Sequence, residues 1–251
     1  MIESITNTTY KHYKRLLESA AYRKKQQAFI LETPKVIDEF YVNFANNIQS
    51  IVVLPDAIIP NFLYTYPQKK ISRSLMKSLS SMESFPDYMV CCKNVVESCN
   101  LVPGKKYVYL DGVQDPANLG AIIRNVKAFE FDGLLLSESC VDIYHPKTIR
   151  SMVGAGFNQP FLRSAEDAIS TLRELQYRFI LLDEKSDVLL SQCPKTDSMV
   201  FVFGSEGQGL SSLWRDYSEI ECIRIPMSSQ LDSLNVSVTA GLVLYHFSDF
   251  Y

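Results

Sequence analysis

Residues 225–247 read IPMSSQLDSLNVSVTAGLVLYHF, and they decide the fold because they join a strand to a buried helix. The strand is a short alternating run, residues 221–225, which Pro226 ends because proline has no backbone N–H for a ladder. From Val236 onward, apolar residues fall on both sides of a helical cylinder. We therefore predict a strand, a polar loop and a buried helix that packs in part against another subunit.

The polar loop before this helix carries Asp232 and Ser233, which are favoured capping residues, so we predict that the helix begins there. A helix start presents free N–H groups and a positive dipole end, which suit a ligand. Taken alone, the segment is more typical of an ordinary core helix capped by a serine. Two polar clusters upstream change that interpretation.

The first upstream cluster, residues 111–125, reads DGVQDPANLGAIIRN. Asp115 and Pro116 predict a turn that opens a helix, with Asn118 near its start and Arg124 about 9 Å further along the axis. Arginine offers a planar fork of N–H donors to a phosphate, and an asparagine amide can orient a hydroxyl. If this cluster stood alone, Asn118 would be interpreted as a helix-capping amide and Arg124 as an ordinary surface arginine.

The second cluster, residues 203–211, reads FGSEGQGLS and follows an apolar run. Its glycines permit a close approach of the backbone to a ligand. The cluster has neither the Gly-Lys-Ser/Thr ending of a phosphate loop nor the spacing of a dinucleotide fold, which argues against a nucleotide phosphate. It is compatible with an adenosine-containing ligand, with Glu206 pairing either that ligand or Arg124. A tight turn that merely tolerates Glu206 is the alternative.

Continuous apolar runs predict the strands of a parallel sheet, because strands covered by helices on both faces need no polar alternation. These runs are residues 107–111, 133–137, 178–183, 199–203 and 220–225. Ligands of such sheets bind beyond the carboxyl ends of the strands. Since each polar cluster begins at a strand end, we expect all three to gather at one edge of the sheet.

The first part of the chain predicts a smaller α/β domain. A helix over residues 9–20, a strand over 27–32, a helix that opens at Pro34, and strands over 51–54 and 87–92 follow from the apolar periodicity. We place this domain at residues 1–97, a linker at 98–106 and the second domain at 107–251.

Basic residues are concentrated in the first domain, although the whole chain has a net charge of −3 and a pI near 5.7. Such a balance excludes a general nucleic-acid coat. These cations form two groups, and aromatic residues are interleaved with the first of them: Tyr10, His12, Tyr13 and Tyr22. The two groups are Lys11, Lys14, Arg15, Arg23, Lys24 and Lys25, and Lys69, Lys70, Arg73 and Lys77. Interleaved cations and aromatic rings can hold phosphates and stack on unpaired bases, although a solvated helix face explains them equally well.

The sequence also argues against membranes and metals. No apolar run reaches the ~18 residues that cross a bilayer, and the first residues lack the features of a secretory signal. The cysteines have neither metal-site nor disulfide-type spacing, which predicts reduced thiols. We therefore expect a cytoplasmic protein with no membrane partner and no metal.

Taken in chain order, the first cluster is residues 111–125, the second is 203–211 and the third is 225–247. They resemble the three motifs of the SpoU (TrmH) branch of the SPOUT methyltransferases, and the resemblance spans residues 107–247. It implies transfer of a methyl group from S-adenosylmethionine to a ribose 2′-hydroxyl of structured RNA. Ribosomal RNA is favoured over transfer RNA, and the sequence leaves both open. The resemblance also implies a deep trefoil knot in the C-terminal α/β domain and a homodimer. The N-terminal domain resembles the RNA-binding domain of many SpoU enzymes, although Thr33 follows Glu32 where those have glycine.

The resemblance also assigns roles to single residues. It places Gly204, Ile225 and Leu234 against the cofactor, and it matches Asn118, Arg124, Glu206, Ser233 and Asn235 to catalytic positions. From the concentration of positive charge, we expect RNA to be bound by Lys11, Lys14, Arg15, Arg23 and Lys24. Ser229 replaces a glycine that is usual in the family. Because a guanidinium stays protonated, we predict that Arg124 clamps a phosphate and stabilises the forming alkoxide instead of acting as a base.

Two other functions remain open at this point. One is an RNA-binding protein that keeps the knot but has lost turnover, and the other is a methyltransferase that acts on a base. Binding of S-adenosylmethionine tests the first. The second is tested by alkaline hydrolysis of the product, because a 2′-O-methyl group blocks it.

Overall fold

A computed structural model of the chain describes residues 1–95, 98–153, 155–205, 209–214, 220–228, 230 and 233–250. The chain divides into two compact units, Met1–Val96 with Asp142–Phe157, and Glu97–Val141 with Asn158–Tyr251. The segment Asp142–Phe157 therefore belongs to the first unit, not to the second as predicted. Aromatic packing explains this return, since the Tyr144 and Phe157 rings stack on Phe29 with centroids 4.6 and 5.5 Å away.

The first unit is built on a mixed sheet. Its elements up to residue 93 are α1 (Thr8–Glu18), α2 (Ala20–Gln26), β1 (Ala28–Leu31), α3 (Pro34–Phe44), β2 (Ile48–Val53), β3 (Gln68–Lys70), α4 (Arg73–Leu79) and β4 (Tyr88–Lys93). The strand order is β1-β4-β2-β3, with β4 antiparallel to β1 and β2, and β3 parallel to β2. The apolar side of α1, including Tyr13 and Leu16, packs into the core beside Val52 and Met89.

The remaining elements follow in chain order. They are β5 (Lys106–Asp111), α5 (Pro116–Ala128), β6 (Gly133–Leu136), α6 (Pro146–Met152), β7 (Phe161–Arg163), α7 (Ala168–Glu174), β8 (Arg178–Leu182), β9 (Met199–Gly204), β10 (Ile220–Ile223) and α8 (Val236–Phe247). Of these, α6 lies in the returning segment and belongs to the first unit. The strands of the second unit have the order β10-β8-β9-β5-β6-β7 and are all parallel, which confirms the predicted α/β fold with a parallel sheet.

The centre of this sheet brings the first two polar clusters together. Strand β5 pairs with β9 in a register that sets Asp111 opposite Gly204. The strands are buried on both faces, as their continuous apolar character predicts. Both clusters therefore leave the sheet side by side at its carboxyl edge.

Helix α8 packs against α5 and β9. Gly241 leaves room at this contact, because a Cβ atom there would lie 3.1 Å from the Asn125 amide nitrogen, a tight approach. The Asn125 amide nitrogen donates a hydrogen bond to the carbonyl oxygen of Ser237 on α8 at 3.1 Å. The contact fixes the third cluster against the helix that carries the first.

The start of α8 differs from the prediction. Its cap is Asn235, whose Oδ1 accepts hydrogen bonds from the N–H groups of Ser237 and Val238. Ser233 lies two residues earlier and is not the cap, and Asp232 lies outside the described residues. In the described part of the chain, no helix combines the length and the apolar character that a membrane span requires.

Candidate active site

A cavity of about 430 Å³ opens where β8, β9 and β10 end. Gly204, Ile225 and Leu234, the predicted cofactor residues, all contribute to its lining, as does Ser233. The volume lies within the roughly 300–1,000 Å³ range of small-molecule sites. The second and third polar clusters thus form walls of one concave site at the carboxyl edge of the sheet.

The glycine-rich wall of the cavity is a tight turn. The N–H of Ser205 donates to the Gly209 carbonyl at 3.0 Å, and the Gly209 N–H donates back to the Ser205 carbonyl at 2.9 Å. A Cβ atom on Gly204 would lie only 2.6 Å from the carbonyl carbon of Gly209, so a side chain does not fit there. Glu206, a predicted catalytic residue between these two in the sequence, lies outside the described residues.

Asp111 holds this wall in place. Its side chain is 4% exposed, and its Oδ2 accepts a hydrogen bond from the N–H of Ser211 at 2.6 Å. A bond from a backbone N–H to a carboxylate is stronger than one to a neutral acceptor. Sequence reasoning marked Asp111 only as a strand end. Because Asp111 is the first residue of the first cluster, its sequence position could have indicated that it supports the site.

The first and third clusters meet through a pair of asparagines. The Asn235 Nδ2 donates to Asn118 Oδ1 at 3.1 Å. Asn118 occupies the first turn of α5, behind the cap Asp115, whose Oδ1 accepts the Ala117 N–H at 2.6 Å. Because Asn235 follows the cavity residue Leu234 directly, this bond connects α5 to the rim of the cavity.

Arg124 lies on α5 with its side chain exposed, and neither it nor Asn118 belongs to the cavity lining. Within the described ranges, its guanidinium has no carboxylate at ion-pairing distance. The prediction that Glu206 holds Arg124 falls on a residue outside those ranges. In the described part of the chain, the guanidinium is therefore open to solvent and accessible to a ligand.

The charged and nucleophilic groups of the cavity limit its chemistry. Asp183 and Glu184 contribute carboxylates, Arg224 contributes a guanidinium, and sequence reasoning missed all three as lining residues. Burial raises the pKa of the Cys222 thiol, and the Asp183 carboxylate raises that pKa further, so this thiol stays protonated at neutral pH. Among the described residues, no group of three or more His, Cys, Asp or Glu side chains is arranged to hold a metal ion.

The predicted RNA-binding residues of the first unit differ in their exposure. Lys11, Arg15 and Lys24 are exposed, whereas Lys14 is partly covered and bonded to Glu18 and to the Ser78 carbonyl. Arg23 is only 2% exposed, which corrects the prediction that it faces RNA. Its Nε donates to Asp142 Oδ2 at 2.6 Å and its Nη1 to the Leu16 carbonyl at 2.7 Å. The guanidinium therefore connects α1 to the returning segment inside the first unit.

Fold and site together define an α/β protein with a parallel sheet and a small-molecule cavity at its carboxyl edge. The second and third polar clusters line this cavity, and the first is bonded to its rim. Residues 105–245 match the SpoU rRNA Methylase family. The chain therefore belongs to this family. This confirms the resemblance seen in the three clusters, and with it the class of enzyme, an RNA methyltransferase that uses S-adenosylmethionine.

Three similar proteins match nearly the whole length of the chain. The sequence is 26% identical over 247 residues to the 23S rRNA (guanosine(2553)-2′-O)-methyltransferase RlmP of Bacillus subtilis, covering 98% of both chains. The crystal structure of an RNA 2′-O ribose methyltransferase is similar with a TM-score of 0.80 and 25% identity, covering 98% of this chain and 96% of the other. The SpoU methyltransferase AviRb of Streptomyces viridochromogenes, crystallised with AdoMet, shares the fold with a TM-score of 0.84 and 21% identity over 96% of each chain.

Proposed function

We propose that the protein transfers the methyl group of S-adenosylmethionine to the 2′-hydroxyl of a ribose in ribosomal RNA. The observation that carries this proposal is the convergence of the three clusters on one rim. Asn118 bonds Asn235 at the start of α8, and Asp111 bonds the loop that follows Gly204. The Bacillus subtilis relative that matches the whole chain is named for this chemistry on 23S rRNA.

The residues of the cavity fit the cofactor. Gly204, Ile225 and Leu234 would hold it, because a wall without a side chain at Gly204 brings backbone groups close to a ligand. The carboxylates of Asp183 and Glu184 outnumber the Arg224 guanidinium among the lining residues, which favours a positively charged ligand in the same cavity. When bound, S-adenosylmethionine supplies an electrophilic methyl group on a cationic sulfur.

The remaining polar residues suit the positioning of a ribose. A 2′-hydroxyl is a weak nucleophile, so its reaction depends on orientation and on stabilisation of the developing negative charge. The Asn118–Asn235 bond fixes both amides at the cavity rim. Arg124 is exposed on the same helix as Asn118, and the planar fork of donors on its guanidinium is suited to hold a phosphate and the forming alkoxide. Ser233 lies on the cavity wall near this pair.

The product of the reaction tests the proposal. The purified protein is incubated with tritiated S-adenosylmethionine and ribosomal RNA from a strain that lacks the gene, and the RNA is then hydrolysed in alkali. We expect the label in dinucleotides, because a 2′-O-methyl group blocks cleavage of the neighbouring phosphodiester. Label in mononucleotides would indicate a base methyltransferase, and binding of S-adenosylmethionine and RNA without transfer would indicate an inactive RNA-binding protein.

We also infer that the C-terminal segment forms the trefoil knot implied by the family. Strand β10 lies at one edge of the sheet, whereas α8 packs on α5 and β9 near its centre, so the chain returns from the edge to the centre between Ile223 and Val236. On leaving β10, Arg224 pairs with the loop after β8, through Val188 and Leu190. A crossing beneath the loop that follows β9 would close the knot, and an experimental chain trace that passes outside this loop would exclude it.

A stripe on α8 supports the proposed homodimer. Val238, Leu242 and Tyr245 are spaced along one side of the helix and are 52%, 44% and 45% exposed, an apolar face typical of a subunit contact. We expect Leu242→Glu to convert the protein to a monomer in sedimentation equilibrium, because a carboxylate would be buried without a partner. Val102, which is also 44% exposed, offers the matched control Val102→Glu. A wild-type protein that sediments as a monomer would contradict the proposal.

The proposed substrate also locates the protein. Ribosomal RNA is modified where ribosomes are assembled, which in a bacterium is the cytoplasm. We therefore propose a cytoplasmic enzyme. Fractionation of cells that express a tagged copy tests this, since recovery in the membrane pellet would contradict it.

A further inference from the structure

A second cavity, of about 350 Å³, lies in the first unit between the start of α1 and the edge strand β3. Its floor is buried, since Tyr13 is 1% exposed and Ile51 is fully covered. Its rim carries the exposed residues Gln68 and Lys69 of β3. The methyl-transfer site belongs to the other unit, so the proposed chemistry leaves this cavity unexplained.

The lining of this cavity combines a mainly apolar surface with polar side chains, most of which are uncharged. The Tyr13 hydroxyl and Ser50 Oγ are 3.0 Å apart, and burial raises the pKa of Tyr13, so the phenol stays protonated. Lys69 Nζ donates to Thr9 Oγ1 at 2.7 Å and contributes a cation to the lining. Hydroxyls, an amide and an ammonium are the partners that a base edge and a phosphate require.

His12 forms part of the wall and connects the cavity to a stacked pair outside it. Burial and the Arg15 guanidinium lower the pKa of His12, so the ring is neutral at pH 7. Its Nδ1 lies 3.0 Å from the Tyr22 hydroxyl, and the Arg15 guanidinium stacks on the Tyr22 ring, 3.9 Å from its centroid. Neutral aromatic rings and stacked guanidinium planes are the surfaces on which unpaired bases stack.

The first unit carries further exposed cations besides Arg15 and Lys69. Lys11 and Lys24 flank the Arg15–Tyr22 pair in sequence, and Lys70 follows Lys69 on β3; all of these lysines are exposed. The chain as a whole is acidic, so this concentration of positive charge is local. It suits the phosphate backbone of an RNA strand that enters the cavity.

We propose that this cavity holds one unpaired nucleotide of the RNA substrate, with its base against His12 and Gln68 and its phosphate on Lys69. A paired base is locked in a helix and does not enter, so the unit selects single-stranded or bulged segments. The inference rests on the proposed function only for the choice of RNA as the ligand. An acidic peptide fits less well, because most of the lining is neutral.

Fluorescence anisotropy on the full chain tests the proposal, with a short single-stranded RNA and the duplex of the same sequence as probes. We expect Gln68→Ala to weaken single-strand binding about tenfold without changing its salt dependence, and to leave duplex binding unchanged. Lys69→Ala should weaken single-strand binding and reduce the slope of log K against log salt by about 0.7. Lys35→Ala, an exposed lysine outside the cavity, should bind like the wild type.

Two results would overturn the proposal. One is single-strand affinity of Gln68→Ala equal to that of the wild type, and the other is an equal loss on single strand and duplex. Calorimetry with S-adenosylmethionine on the same proteins separates the two proposals. Failure of the wild type to bind the cofactor counts against the proposed function alone, whereas the RNA measurements decide the role of the cavity.

Discussion

Replacing Arg124 by lysine is expected to lower the rate of methyl transfer at least about a hundredfold while S-adenosylmethionine binds as before. The guanidinium presents a planar fork that a lysine ammonium cannot reproduce on a phosphate, although the charge is kept. Because Arg124 is exposed, the substitution should change the free energy of unfolding by less than about 0.5 kcal/mol. Single-turnover kinetics at saturating RNA measure the effect.

The same helix provides the control for this experiment. Lys127 is also exposed on α5, so Lys127→Ala removes a nearby positive charge without touching the fork of Arg124. We expect it to retain nearly full turnover. Arg124→Lys with normal turnover and normal RNA affinity would contradict the phosphate clamp and the stabilisation of the alkoxide together.

Replacing Gly204 by alanine is expected to abolish measurable binding of S-adenosylmethionine and to destabilise the fold by about 1–3 kcal/mol. The added Cβ would lie 2.6 and 2.7 Å from the carbonyl carbon and oxygen of Gly209, and 2.9 Å from the Leu210 nitrogen. These are backbone atoms, so the turn must move, and it forms a wall of the cavity. Calorimetric titration measures the loss.

A glycine outside the cavity separates cofactor binding from stability. Gly104 has a φ of +76°, and a Cβ atom added there would have no neighbouring atom within 4 Å, so Gly104→Ala should cost about 1–2 kcal/mol through backbone strain alone. It should bind S-adenosylmethionine like the wild type. If Gly204→Ala retained wild-type affinity, the cofactor would not depend on this turn.

The parallel sheet was predictable because its central strands are buried on both faces and read as continuous apolar runs. The strands that sequence reasoning missed lack that signal. Strand β3 has three polar residues, all exposed, and β7 has three residues of which only Phe161 is buried. Their pairing depends on neighbouring strands, which periodicity along the chain does not encode.

The errors in the site have a common physical origin in contacts between distant residues. Arg23 was grouped with surface cations, but its partner Asp142 lies 119 positions away and returns to the first unit with its own segment. The cap of α8 was placed at Ser233, although Asn235 is an equally good capping residue and also bonds Asn118 across the fold. Asp111 stabilises the cavity wall through a hydrogen bond from Ser211, which lies 100 positions away in the sequence.

The motifs nevertheless located the cavity, because each begins at the carboxyl end of a strand of one parallel sheet. That rule brings Gly204 and Ile225 to one cavity without a comparison to any relative, whereas Leu234 was assigned from the resemblance to the family. It does not position Arg124, which lies on the exposed side of α5 beyond the lining. Its role depends on how the substrate reaches it.

A crystal structure of the protein with S-adenosylmethionine tests the central claim most directly. We predict that the cofactor lies in the cavity between Gly204, Ile225 and Leu234, with its methyl group on the side of the Asn118–Asn235 pair. A cofactor bound elsewhere, or one whose methyl group is separated from both asparagines and from Arg124 of either subunit, would contradict it.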